Sequence, residues 1–242
     1  MPRILVTLFF FLNLSEAKAQ HSNTHANMLW FNYNNSVIIN NKWSIVNDAQ
    51  LRTRNWAERW SQFALRSGVM YKLNDKFALT AGFTWFGNVK YYNDQPVVAN
   101  EWRPWEEVSL QLKQRKIIFF QRLRLEQRFL QKVAAGKKLP DYDFRLRLRY
   151  RFEFGLPQYK NKFELRLGNE IMGNINHIGD TQFFDQNRTV IILNMKISPQ
   201  LVFQFQYIKL FQWQPSVNTL DNQDVFRFGI QQQLYLHKPK NK

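Results

Sequence analysis

The chain has 242 residues, with 34 Lys+Arg against 18 Asp+Glu, a formal net charge of +16 and no cysteine. The lack of thiols excludes disulfides, cysteine-ligated zinc and thiol nucleophiles, and the positive surplus favours anionic partners such as lipid phosphates, nucleic acid or anionic solutes. Aromatic residues make up 16% of the chain, more than a basic soluble module needs to close its core. The mean hydropathy of −0.47 also suits a membrane barrel, in which half of the strand residues face a polar interior.

Arg3 precedes an apolar run, Ile4 to Leu14, and Ala17-Lys18-Ala19 follows with small residues at the A-x-A positions. This is the pattern of a secretory signal peptide and predicts cleavage after Ala19. The apolar run is well short of the ~20 residues that a spanning helix requires. The predicted division is therefore 1–19 signal peptide and 20–242 a single outer-membrane β-barrel domain. No later stretch is a candidate spanning helix, so the mature chain meets a membrane as a barrel or not at all.

From there the chain alternates with the two-residue period of strands. Leu29, Phe31, Tyr33 and Val37 alternate with Trp30, Asn32, Asn34 and Ser36; after Asn40-Asn41-Lys42 the pattern resumes with Trp43, Ile45, Ala49 and Leu51. Phe63 to Tyr71 turns at Asn74-Asp75 into Phe77 to Trp85, and Val108 to Leu112 turns at Gln114-Arg115-Lys116 into a strand containing Arg122, Arg124, Glu126 and Arg128. A second arginine strand, Arg145, Arg147, Arg149 and Arg151, turns near Gly155-Leu156-Pro157 into Phe163 to Ile171. Thr189 to Ile197, Leu201 to Phe211 and Phe226 to Leu236 complete eleven segments. Most have the ~9–11 residues needed to cross a bilayer at a tilt.

Short turns near residues 41, 75, 115, 157 and 199 interleave with longer connections at 53–60, 87–104, 131–141, 174–187 and 214–224. Trp30, Trp43, Trp85, Trp102, Trp105 and Trp213 fall near strand ends, where an interfacial girdle would put them. The predicted fold is all-β: an antiparallel transmembrane β-barrel of about 10–12 strands with short periplasmic turns and longer outer loops. Because even strand numbers are the bacterial pattern, eleven segments predict either an N-terminal arm at Trp30 beside ten strands, or twelve strands.

The two arginine strands carry one charged and one greasy face. Arg122, Arg124, Glu126, Arg128, Arg145, Arg147, Arg149, Arg151 and Arg166 share the polar face with Glu153, Glu164 and Glu170. Such a wall either fills a small barrel as an Arg–Glu network or leaves a surplus that attracts anions. Leu123, Leu125, Leu146, Leu148, Leu165 and Leu167 are expected to face lipid. A stacking platform for nucleic acid would need arginines and aromatics on one face, and here they alternate apart, so no nucleic-acid partner is expected.

Several of these stretches resemble the uncharacterised outer-membrane family catalogued as domain of unknown function 2490. The resemblance rests on the opening hairpin around Trp30 and Lys42-Trp43, on Asn100 to Trp105, on Arg122 to Arg128 (RLRLEQR, the most specific piece), on Arg145 to Tyr150 and on Phe184 to Arg188. It implies a β-barrel at the Gram-negative outer membrane and brings no catalytic residues with it.

Chemical motifs are sparse. His21 and His25 lie in an expected polar N-terminal arm, His237 in the basic tail, and His177 shares a predicted outer loop with Asp180 after Glu170. No G-x-S-x-G elbow occurs, and Glu106-Glu107 and Asp141-x-Asp143 read as solvated loop ends. No metal site and no cofactor are expected. The functional expectation is a non-enzymatic outer-membrane barrel, structural or passing or binding small anionic solutes, with a narrow or closed interior. Its partners would be outer-membrane lipids, lipopolysaccharide and small anions. The alternative is an outer-membrane enzyme acting on lipid or lipopolysaccharide through residues around Glu101–Glu107 or His177.

Overall fold

A computed structural model of the protein describes residues 24–114, 116–178, 183–214 and 219–236. The expected leader and its cleavage position, with His21, Asp180 and His237, lie outside the described residues. All eleven expected segments are strands: β1 (Thr24–Ile38), β2 (Trp43–Arg54), β3 (Arg59–Lys72), β4 (Phe77–Tyr92), β5 (Gln95–Gln114), β6 (Ile117–Ala134), β7 (Lys137–Gly155), β8 (Phe163–Asn174), β9 (Phe184–Ser198), β10 (Leu201–Gln214) and β11 (Thr219–Tyr235). A single 3-10 turn, Ile175–His177, follows β8.

The strands form one closed barrel in which sequence neighbours pair antiparallel and β1 closes against β11. An antiparallel ring closes only with an even number of strands, so a ring of eleven must contain a parallel pair. That pair is β1–β11, in continuous register from Thr24 opposite Asp221 to Ile38 opposite Tyr235. The Trp30 segment is therefore neither an arm nor half of a missing hairpin, but the closing strand. Because β1 and β11 run the same way, β1 begins at the end of the barrel where β11 also begins, and β11 finishes at the opposite end.

At that opposite end the β1–β2 and β3–β4 turns are side-chain capped. Asn40 Oδ1 accepts from the backbone N–H groups of Lys42 and Trp43, each at 2.9 Å; Asn74 Oδ1 accepts likewise from Lys76 at 2.8 Å and Phe77 at 2.9 Å. These Asx turns add to the backbone bonds that Ile39 and Asn40 donate to Trp43, and Leu73 and Asn74 to Phe77. At the other end two expected loops, 87–104 and 131–141, are instead mostly strand. Asn93 and Asp94 (φ 47° and 60°) and Ala135 and Gly136 (φ 48° and 74°) form two-residue turns, the left-handed geometry that matches strand twist. The strand formers Tyr91, Tyr92, Val97 and Val98 carry the ladder out to the first of these turns. Beyond Asn88 β4 pairs only with β5, and before Arg147 β7 pairs only with β6. Both hairpins thus extend past their neighbours.

Alternation assigns the two faces. Leu65 is 57% exposed, Ile171 50%, Leu123 46% and Ile191 45% on the outside, while Thr84, Glu126 and Glu170 are sealed within. Aromatic side chains pair across the outer surface, as in Trp43–Tyr71 at 4.6 Å, Phe129–Phe144 at 5.2 Å and Phe205–Phe228 at 5.3 Å. Trp30 and Trp105, expected in the girdle, turn inward instead and are buried. Trp105 fits because its neighbours are glycines: a Cβ on Gly82 would stand 2.5 Å from the indole ring. The interior is not polar throughout. Met28, Val190, Ile192, Ile208, Leu210 and Val225 form an apolar cluster with Trp30 on the inner face of β1, β9, β10 and β11.

Candidate functional site: a cationic barrel interior

β5, β6, β7 and β8 present alternate residues to the interior, so paired rows of charge meet across adjacent strands. Glu126 lies opposite Arg147, and Arg124 opposite Arg149. Glu126 is fully buried and sits among four guanidinium groups: Arg147 at 2.5 Å, Arg149 at 2.6 Å, Arg103 at 3.4 Å and Arg124 at 3.8 Å. Glu170 receives Arg122 at 2.6 Å and Arg149 at 2.8 Å. Glu101 receives Arg103 at 2.5 Å and Arg128 at 2.7 Å, and Asp185 receives Arg147 at 2.6 Å. Sharing each carboxylate among several forked guanidiniums offsets the cost of taking these charges out of water.

All nine residues singled out in the sequence lie on the inward face. Arg122, Arg124, Arg128, Arg147 and Arg149 join Glu126 in the network just described. Arg145 is held by Asp143 at 2.9 Å, Arg151 by Glu153, and Arg166 by Glu164 at 2.8 Å. More anions oppose them than Glu126, Glu153, Glu164 and Glu170. Glu107, taken for a loop end, faces inward on β5 and binds Arg124 at 2.5 Å; Glu106 faces outward and accepts from Gln127 at 2.9 Å. Glu101 and Asp185, placed in long loops, also lie on strands and point inward. The signal was present in β5, where Ala99, Glu101, Arg103, Trp105 and Glu107 alternate with Asn100, Trp102, Pro104 and Glu106.

The wall formed by β11, β1, β2 and β3 differs. Arg52 and Arg227 flank Trp30 in one pairing row across β2, β1 and β11. The Arg52 guanidinium lies 4.0 Å from the Trp30 ring centroid and donates to Gln50 and Gln62. Arg227 donates to Asn32 Oδ1 at 2.7 Å. Arg66 binds Asp48 at 3.1 Å. A cavity of about 1040 Å³ runs between this wall and the network, and its lining extends from Asn74, Asp75 and Lys76 at one end to Lys90 and Leu130 at the other.

The carboxylates named for the enzymatic alternative take part in ion pairs. Glu101 and Glu107 are each held by two arginines inside the barrel, and Glu170 is held by Arg122 and Arg149. His25, expected in a loose arm, lies on β1 within 2.7 Å of Asp224. Among the described residues, no three His, Asp or Glu side chains gather as metal ligands.

A family described as "Protein of unknown function (DUF2490)" matches residues 27–221. The chain belongs to that family. The match starts inside β1 and ends inside β11, so the DUF2490 unit coincides with the barrel and contains its whole arginine network. No curated protein matches this DUF2490 chain.

Proposed function

We propose that this protein is an outer-membrane β-barrel, without catalytic activity, whose cationic interior binds or passes small anions. The carrying observation is the inside-out distribution of side chains on a closed barrel. Charged residues are sealed within, while leucines, isoleucines and aromatic rings cover the outside. An exterior this rich in exposed apolar side chains is costly in water and suits lipid. The outer-membrane family resemblance and the signal-peptide pattern support the same placement. Lys72 and Lys76 at one mouth and Lys90 towards the other line the same cavity, and such charges draw anions into a low-dielectric passage. The outer surface would contact lipid acyl chains, with lipopolysaccharide the natural neighbour in that membrane.

Cell fractionation followed by planar-bilayer recording tests both parts. The expected result is recovery in the detergent-extracted outer-membrane fraction, together with either anion-selective conductance or saturable anion binding without conductance. Recovery as a soluble periplasmic protein would overturn the placement. A cation-selective pore would overturn the interior reading.

A further inference from the structure

Deepening that reading of the interior, we propose that the barrel has a defined binding site for a phosphate dianion, free or as a small monoester. Its ligands are Arg52, Arg66 and Arg227, rather than the larger arginine group on β6 and β7. The group on β6 and β7 meets Glu101, Glu107, Glu126, Glu170 and Asp185 at ion-pair distance. On the opposite wall three guanidiniums share one carboxylate, Asp48, which binds Arg66 at 3.1 Å. Neither Arg52 nor Arg227 is within ion-pair distance of a carboxylate among the described residues; both are held by neutral amides.

The three arginines and Asp48 all line the same cavity; Arg52 and Arg227 stand in one pairing row on either side of Trp30, and Asp48 lies directly opposite Arg66. Three cations less one anion leave a local surplus that a dianion matches. A guanidinium fork also fits two oxygens of a phosphate better than it fits chloride.

The site is built rather than incidental. Asn32 is 8% exposed; its Oδ1 is fixed by Arg227 Nε, so its Nδ2 hydrogens are oriented, and that nitrogen has no hydrogen-bond partner. Asn32 packs over Gly229 and is not part of the cavity lining, so it fixes the Arg227 guanidinium from behind and leaves it facing the cavity. Asn32 can lie flat there because residue 229 is glycine, where a Cβ would come within 2.6 Å of Oδ1. Arg188 approaches from β9 to 5.4 Å over the Trp30 ring that also carries Arg52. Its Nε is likewise without a hydrogen-bond partner.

The test uses the folded barrel in detergent micelles, titrated with inorganic phosphate and, at matched ionic strength, with chloride. Binding is read by calorimetry and by the heat-denaturation temperature. Phosphate is expected to bind saturably and raise that temperature, and chloride to do neither. Arg52→Gln and Arg227→Gln should each weaken phosphate binding by roughly tenfold or more, the effect of losing one charge-assisted contact. Asp48→Asn should strengthen it. This opposite sign does not depend on how well the arginine variants fold. Arg59→Gln, at an exposed residue paired with Asp94 at 2.7 Å, should leave affinity unchanged.

Phosphate binding that ignores Arg52, Arg227 and Asp48 would overturn this site while leaving an anion-binding interior standing. No phosphate binding at all would overturn the site too, and the bilayer and fractionation results then judge the broader reading separately. Stabilisation by phosphatidate in the micelle, but not by inorganic phosphate, would put the anion on a lipid at the rim and also overturn the site.

Discussion

At the scale of single residues, Glu126 is the keystone of the interior network. Four arginines converge on its two oxygens, and removing the charge leaves several guanidiniums buried without compensation. Glu126→Gln should therefore cost about 3–5 kcal/mol, measured by urea unfolding in detergent. Glu106→Gln, one strand away but facing outward, should cost nothing. A different residue sits in a conformation that disfavours it: Ala135 opens a two-residue turn at φ 48°, a region where a Cβ costs roughly 1–2 kcal/mol. Ala135→Gly should raise stability by about 0.5–1 kcal/mol, since glycine's greater freedom in the unfolded chain takes back part of the relief. The same denaturation experiment would show it.

At the scale of strands, the alternating pattern was enough to locate every element, because one apolar and one charged face leave little doubt about a two-residue period. The arginine strands β6 and β7 were the clearest: all eight residues marked on them, and Arg166 on β8, turn inward. Ends and partners were less legible. In the 87–104 stretch the turn occupies only Asn93 and Asp94, and the alternation that carries Glu101 is weak as a pattern because Asn100 and Glu106 make the outward face partly polar too. The two inward tryptophans were misassigned for a related reason. Trp30 has the parity of Asn32 and Asn34 but the composition of a girdle residue, and the glycines that make room for Trp105 lie about 20 to 40 positions away. The apolar inner wall was hidden because Val190 and Ile192 alternate with Thr189 and Ile191, so both faces of β9 read as greasy. The face assignment makes a firm prediction. Leu123 lies in the interior of β6 and points outward, so Leu123→Lys should cost about 2–4 kcal/mol if that face meets lipid near the midplane. Reconstitution into bilayers followed by denaturant titration gives the value. A cost near zero would mean that this face meets water.

For the whole molecule, the odd strand number has a topological consequence that composition and pattern alone do not reveal. Eleven strands closed through a parallel pair put the start of β1 and the finish of β11 at opposite ends of the barrel. In an even-numbered antiparallel barrel those two points share one end. Because the chain has no cysteine, single cysteines can report this without background. His25→Cys, Asn93→Cys and Gly136→Cys sit at the end bearing the projecting hairpins; Asn41→Cys, Asn74→Cys and Leu236→Cys sit at the other. With a membrane-impermeant maleimide applied to intact cells, each set should label or stay silent as a group, and permeabilising the outer membrane should reverse the silent set. If the projecting hairpins are the outer loops, the first set is the one that labels in intact cells. Labelling of His25→Cys together with Leu236→Cys, and apart from Asn93→Cys, would mean that β1 does not close the barrel in parallel with β11. The network on β5 to β8 would survive that result, since its pairings are all antiparallel. The proposed phosphate site would not, because Arg52 and Arg227 are brought together only by the passage of β1 between them.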